Sequence, residues 1–367
     1  MKAARILVVD DEPGMVRAVE RVLAPMHHVR AIGSSRQAIA VAASFDPALA
    51  ILDVRMPELD GFDLMSALQA RHPTLDFILM TGSVDDLDEK LIRAIRGRAF
   101  YFIQKPFDHE VLKTLVNRCL DLRWQREENR RHLQRLEAEF LEARAFQQGL
   151  LPPADAVCNG TTIRCCYVPC SGLGGDFYDY APGPSNTTAV LVADVSGHGV
   201  SAAMLTGIVK SAFRSSQADG YAPAAVVARV HGNLTDFSPE RFITLFATLV
   251  SPSEGRLEYV NAGHPAALLS RSDGTTVRLG STGPLVSPAF PFARWKVESV
   301  SIGEADRLLL YTDGVADALL ESDELEVASI RDLDADALIA EAQRRLTGRE
   351  QPDDLTILTA TTPRLRS

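Results

Sequence analysis

Four short apolar runs and a weaker fifth set the strongest limit on how this chain can fold: Ile6–Val9, Ala48–Leu52, Phe77–Met80 and Phe100–Ile103, with Val29–Ile32, which Arg30 interrupts, the weaker one. Amphipathic stretches such as Met15–Leu23 and Phe62–Leu68 lie between them. Runs that are apolar throughout fit strands buried on both faces, and their alternation with helical patterns predicts an α/β doubly wound, five-stranded parallel sheet. In such folds ligands gather beyond the carboxyl ends of the strands. Here those ends carry Asp10 and Asp11, then Asp53, then Thr81, then Lys105.

Residues 108–151 read as one long helix. Heptad spacing puts Leu112, Cys119, Arg126, Leu133, Phe140 and Gln147 in one column and Leu115, Leu122, Asn129, Leu136, Ala143 and Leu150 in the other. That is the pattern of a coiled-coil seam, interrupted by Arg126 and Asn129, polar residues of the kind that fix register and oligomer state. Pro152-Pro153 ends the helix, because proline lacks an N–H and clashes with the preceding turn. Beyond it strand-like runs dominate: Ala189–Ala193, Phe242–Val250, Arg256–Asn261, Trp295–Val300, Arg307–Thr312 and Thr356–Thr361. Helical stretches near 201–217, 222–236 and 335–347 accompany them, which predicts an α+β sandwich of two sheets with helices outside. The expected organisation is one domain over 1–120, a helical coiled-coil linker over 121–151 that pairs two copies of the chain, and a second domain over 152–367.

Length and charge narrow the function. At 367 residues the chain has room for two folded units and a connector. A hydrophobic fraction of 46% with 23% charged residues is globular composition, not that of a disordered chain. The net charge of −10 argues against a nucleic-acid reader, which needs a basic face. No uncharged run is long enough to span a bilayer, and the first apolar run meets Asp10-Asp11-Glu12 too soon for a signal peptide. A cytoplasmic protein without membrane contact is expected. The five cysteines, Cys119, Cys158, Cys165, Cys166 and Cys170, then read as thiols, and the spacing of the last three is not a zinc pattern.

Asp10, Asp11 and Asp53 at one sheet edge would repel one another unless a cation sat among them, and an all-oxygen set at an open edge suits Mg²⁺. Lys105 adds a positive charge and Thr81 a hydroxyl, so the set has what a phosphoryl group on an aspartate requires. The stretches "ILVVDDE", "AILDVRMPELDG", "ILMTG" and "FYFIQKPF" resemble the response-regulator receiver family over nearly all of residues 4–120. The resemblance implies a flavodoxin-like fold and phosphoryl transfer from a sensor histidine kinase to Asp53. It implies that Asp10, Asp11, Asp53 and the backbone carbonyl of Arg55 hold the metal, and that Thr81 and Phe102, with Lys105, are switch residues.

A second set of aspartates lies among small residues: Asp176 after Gly174-Gly175, Asp194 before Val195-Ser196-Gly197-His198-Gly199, Asp313 before Gly314, and the pair Asp353-Asp354. Asp194 and Asp313 follow apolar runs and Asp353-Asp354 precede one. Converging carboxylates without a histidine or cysteine set favour Mg²⁺ or Mn²⁺ over Zn²⁺. The stretches "FQQGLLP", "GLGGDFYDY", "ADVSGHGVSAAML", "RFITLFATLV", "NAGHPAALL", "LLLYTDGVAD" and "DDLTIL" resemble the PP2C-like metal-dependent Ser/Thr phosphatases, in the bacterial branch that includes sporulation and stress-response enzymes. This implies two Mn²⁺ or Mg²⁺ ions bridged by Asp194. One is served by Asp176 and the carbonyl of Val195, the other by Asp313 and Asp353. Gly175 and Asp354 support the site. His198 is a candidate general acid, and His264 in "NAGHP" reads as structural.

Two cations answer the central difficulty of phosphomonoester hydrolysis, the repulsion between a dianion and hydroxide, and no covalent nucleophile is needed. The combined expectation is a two-component response regulator whose receiver controls a serine/threonine phosphatase. Family resemblance implies that its substrate is a phosphorylated STAS-type anti-sigma-factor antagonist. The rival is a non-catalytic adaptor with the same fold; such relatives lose metal-binding aspartates, whereas the full set is present here. The acidic excess also falls unevenly: residues 152–367 carry a net charge of −9.

Overall fold

The computed structural model describes residues 3–82, 99–197, 199–319, 335–345, 351 and 353–364. The chain divides into two compact units, Met1–Glu137 and Ala138–Ser367.

In the first unit, strands β1 (Arg5–Val9), β2 (His28–Ile32), β3 (Leu49–Asp53), β4 (Asp76–Thr81) and β5 (Ala99–Gln104) form one parallel sheet in the order β2-β1-β3-β4-β5. Alternate residues of β1 enter opposite cores. Ile6 and Val8 pack with α1 (Pro13–Leu23) and the start of α4 (His109–Leu150), while Leu7 and Val9 pack with α2 (Ser35–Phe45) and α3 (Gly61–Arg71). Burial on both faces is why β1, β3 and β4 are legible as apolar runs, whereas the edge strand β2, half exposed and carrying His28 and Arg30, is not.

The helix α4 has the predicted span, and its two ends pack on the chain's own cores. Leu112, Val116, Cys119 and Leu120 are buried in the first unit's core. Arg126 pairs with Asp76 at 3.8 Å, and Arg123 with the same carboxylate at 3.4 Å. At the other end Gln147 is buried and Leu150 packs on a core of the second unit. Of the heptad positions, Leu112, Cys119, Gln147 and Leu150 therefore serve the cores of their own units and not a seam between two helices. Leu133 and Leu136, between these anchors, remain about 60% exposed.

The second unit has two antiparallel sheets. One runs β14 (Glu298–Ser301), β11 (Arg256–Ala262), β10 (Ile243–Ser251), β9 (Thr188–Val195), β8 (Asp176–Pro182). The other runs β13 (Thr276–Leu279), β12 (Ala267–Ser270), β15 (Arg307–Tyr311), β16 (Leu355–Thr361), β7 (Thr161–Val168), β6 (Asp155–Cys158). Between them lies an apolar core in which Val190 and Val192 of β9 meet Leu308, Leu310 and Leu358. Ala189, Leu191 and Ala193 face the other way, onto α5 (Val200–Ser215) and α6 (Pro223–Leu234). The helices α7 (Asp313–Leu319) and α8 (Ala335–Arg345) cover the second sheet. All five cysteines are free thiols, and burial raises the Cys119 thiol to about 12.

Candidate functional site

The parallel register brings the first acidic set together. Val9 pairs with Leu52, Asp53 with Met80 and Thr81 with Gln104, so the strands end level and their next residues share one edge. Oxygens of Asp10, Asp11 and Asp53 lie within 4.8 Å of one another. Lys105 Nζ is 2.7 Å from both Asp10 Oδ2 and Asp53 Oδ1. Burial raises the Asp53 carboxyl, Lys105 opposes that, and the charges of Asp10 and Asp11 add to it. Burial also works against the Lys105 ammonium, but its hydrogen bonds to Asp10 and Asp53 outweigh this and leave its pKa raised.

Backbone contacts fix the loop around Asp53. Asp60 caps α3 by accepting from the Phe62 and Asp63 amides at 2.9 and 2.8 Å. A side chain at Gly61 would collide with the carbonyl of Asp53, so only glycine fits this close approach. Thr81 is buried, and its carbonyl accepts from the Lys105 amide at 2.7 Å. Phe102 is half-buried, its ring centroid 6.5 Å from that of Phe62. Arg55 lies in the exposed loop two residues past Asp53. The three carboxylates fit a hard divalent ion, and the Lys105 ammonium fits a phosphoryl oxygen.

In the second unit Asp176 and Asp194 are cross-strand partners on β8 and β9. Thr312, at the end of β15, and Thr356, on β16, donate to Asp176 Oδ2 at 2.7 and 2.5 Å, linking the second sheet to the first at this point. The same sheet end carries Asp313 after β15 and Asp353-Asp354 before β16. Asp354 is buried and holds the loop that leads to Asp176: it accepts from the amides of Cys170 at 2.8 Å, Gly175 at 2.6 Å and Asp176 at 3.3 Å. Gly175 must be glycine, since a Cβ there would strike the carbonyl of Val195.

Crowding of like charge is the electrostatic signature of this cluster. Burial, then Asp313, Asp353 and Asp354, raise Asp194 to about 7. Burial, then Asp194, raise Asp176, and burial, then Asp353, raise Asp313. Carboxylates held together in this way fit divalent cations as counter-charge. Among the described residues, three carboxylates within 4.8 Å of one another occur only in the first cluster. The second set is spread across two sheets, an arrangement suited to ions served from different sides.

The structure therefore brings together Asp176, Asp194, Asp313, Asp353 and Asp354, with Gly175 and Val195 beside them. His198 lies outside the described residues. His264 is buried, with Nδ1 2.9 Å from Thr244 Oγ1, and burial lowers its pKa to about 3. A histidine that stays neutral when folded but takes a proton near pH 6.5 when unfolded lets the unfolded state bind more protons between those values, so stability falls as pH drops through that window. Between pH 7 and 5 the second unit of the wild type is expected to lose on the order of 2 kcal/mol more than that of His264→Asn. Thermal unfolding at the two pH values checks this.

Reading from sequence misses Gln147, which heptad counting places in the coil seam. Instead its Nε2 donates to the Gly174 carbonyl at 2.6 Å and its Oε1 accepts from the Gly174 amide at 3.2 Å. The signal was its place in "FQQGLLP", a polar core position one turn before a double proline. Thr312 and Thr356 are also missed; their hydroxyls hold Asp176.

Residues 6–117 match the family model of the response regulator receiver domain, and residues 184–363 that of Stage II sporulation protein E (SpoIIE). Protein IcfG of Synechocystis sp. is 30% identical over 217 residues, which are 50% of this chain and 33% of that protein. Phosphoserine phosphatase RsbP of Bacillus subtilis is 33% identical over 152 residues, 40% of this chain and 38% of that protein. The chain thus spans between about a third and two fifths of the length of these relatives. The SiaA-PP2C domain of Pseudomonas aeruginosa superposes with a TM-score of 0.51 at 18% identity, covering 63% of this chain and 98% of that one, so the second unit shares its fold. None of the described helices is long and apolar enough to cross a membrane. With both models matched and both folds in place, the chain carries a response regulator receiver domain followed by a SpoIIE/PP2C-type domain.

Proposed function

We propose that the chain is a cytoplasmic two-component response regulator in which phosphorylation of Asp53 by a sensor histidine kinase controls a metal-dependent protein serine/threonine phosphatase. The observation that carries the catalytic half is the mutual crowding of Asp176, Asp194, Asp313 and Asp353 at the ends of two sheets. Two Mn²⁺ or Mg²⁺ ions held by these residues and the Val195 carbonyl would supply the positive charge that activates water and neutralises phosphoryl oxygens. The chain's own contribution is placement. Thr312 and Thr356 fix Asp176, Asp354 fixes the loop beneath it, and Gly175 lets that loop press against Val195.

In the receiver, Mg²⁺ held by Asp10, Asp11, Asp53 and the Arg55 carbonyl would offset the charge of the incoming phosphoryl group. Lys105 then orients a phosphoryl oxygen, while Thr81 and Phe102 report the change. The last turn of α4 is the preferred two-state element, because buried Gln147 grips Gly174, two residues before Asp176. The exposed Leu133 and Leu136 support a homodimer formed through this helix. The substrate in this reading is a phosphorylated STAS-type anti-sigma-factor antagonist, which dephosphorylation releases for partner switching. The similarity to a phosphoserine phosphatase over part of its length supports this. Release of phosphate from a phosphoserine STAS protein with Mn²⁺, lost on adding EDTA, is the expected result. Release that persists in EDTA refutes the metal-dependent mechanism.

A further inference from the structure

Fifteen large apolar side chains are exposed among the described residues, and six of them come from three segments tied together beside Asp194: Val200, Met204, Phe237, Phe242, Phe290 and Phe292. The ties are specific. Ser196 and Phe242 exchange two hydrogen bonds, Ser196 N to the Phe242 carbonyl at 2.9 Å and Phe242 N to Ser196 Oγ at 3.0 Å. Arg241 donates to the Ser196 carbonyl at 3.2 Å and to Ser201 Oγ at 2.6 Å. Ser287 Oγ donates to the Pro239 carbonyl at 3.3 Å, and Val286 and Ile243 exchange backbone bonds at 2.9 and 2.8 Å. Val200 and Met204 are four residues apart on α5 and so share a face. Met204 is 72% exposed and Phe292 92% exposed.

Apolar side chains gathered at one place on a surface mark a contact with a partner, whereas scattered ones need no explanation. Phenylalanine and methionine are also enriched at the centres of protein interfaces. Position indicates which partner. Ser196 lies two residues past Asp194, so the loop that ties these segments together leads directly from the aspartate cluster. Charge agrees with this. Residues 152–367 carry a net −9, which repels both an anionic membrane and a phosphoryl dianion, yet Arg241 sets a cation against the loop that follows Asp194.

We infer that this surface docks the phosphoprotein substrate, its apolar side chains covering the residues around the phosphoserine or phosphothreonine and Arg241 meeting phosphoryl charge. The inference rests on the phosphatase reading above and adds the means by which a protein substrate is chosen.

Phe292→Ser and Met204→Ser test it in the full chain with Mn²⁺, using p-nitrophenyl phosphate and a phosphoserine STAS protein as parallel substrates. In both variants KM for the protein is expected to rise by about tenfold more than KM for p-nitrophenyl phosphate, the loss expected of an interface anchor. Val157→Ser, which removes a 72% exposed side chain on β6, is the control for surface apolarity and shows no such difference. Equal effects on the two substrates, or none on either, overturn the inference. So does a chain whose self-association these substitutions abolish while phosphoprotein kinetics stay unchanged, since the surface then belongs to a second copy. A wild-type chain that hydrolyses neither substrate refutes the phosphatase reading itself, and the docking surface falls with it.

Discussion

Asp194→Ala is expected to lower metal-dependent phosphate release by about 10³-fold or more, the scale of losing a group on which the reacting centre is assembled. The expectation follows from position. Asp194 faces Asp176 across β8 and β9 and feels the charges of Asp313, Asp353 and Asp354, so it borders every other member of the cluster. Without it the remaining carboxylates are divided between the two sheets. Folding is not expected to suffer, because the substitution removes like-charge repulsion from a buried site. A steady-state assay with Mn²⁺ and a thermal melt of the metal-free chain check the two halves. Retained activity would favour the adaptor reading, in which the fold binds a partner without catalysis.

Asp53→Asn is expected to abolish covalent labelling by an acyl phosphate such as acetyl phosphate with Mg²⁺, while Asp194→Asn labels as the wild type does. The acceptor must present an ionised oxygen beside both the cation and the lysine. Asp53 is the carboxylate that Lys105 shares with Asp10, at 2.7 Å from each. An amide at residue 53 cannot act as the nucleophile, but Lys105 keeps its bond to Asp10, so the edge of the sheet remains organised. Intact-mass measurement reads the result directly as presence or absence of one phosphoryl group. Labelling that persists in Asp53→Asn would move the acceptor elsewhere.

Much of this architecture is legible in the residues because burial writes itself into pattern. The strands β1, β3 and β4 are buried along nearly their whole length and carry few polar residues, and Asp10, Asp11, Asp53 and Thr81 sit at their ends. The glycine-flanked aspartates are legible for a related reason, since Gly175 and Gly314 allow backbone to approach where no Cβ fits. What escapes is whatever depends on a distant partner. The strand β8 reads poorly as a strand because of Asp179, which is buried only because Arg214 and Lys210 pair with it. Thr312 and Thr356 reach Asp176 across 136 and 180 residues of sequence, so no local motif announces them. Gln147 shows the limit of periodicity. Its heptad position is right for a core, but the core belongs to the second unit and its partner is the backbone of Gly174. Arg126 is the same lesson at the other end of α4, where Asp76 accounts for the charge.

If the receiver controls the phosphatase, the phosphorylation state of Asp53 sets the rate of phosphate release. The initial rate of phosphate release from a phosphoserine STAS protein with Mn²⁺ is compared for the chain with and without stoichiometric phosphorylation of Asp53. Unequal rates are expected, with the difference disappearing in Asp53→Asn. Equal rates for the two forms would mean that Asp53 phosphorylation does not control the phosphatase.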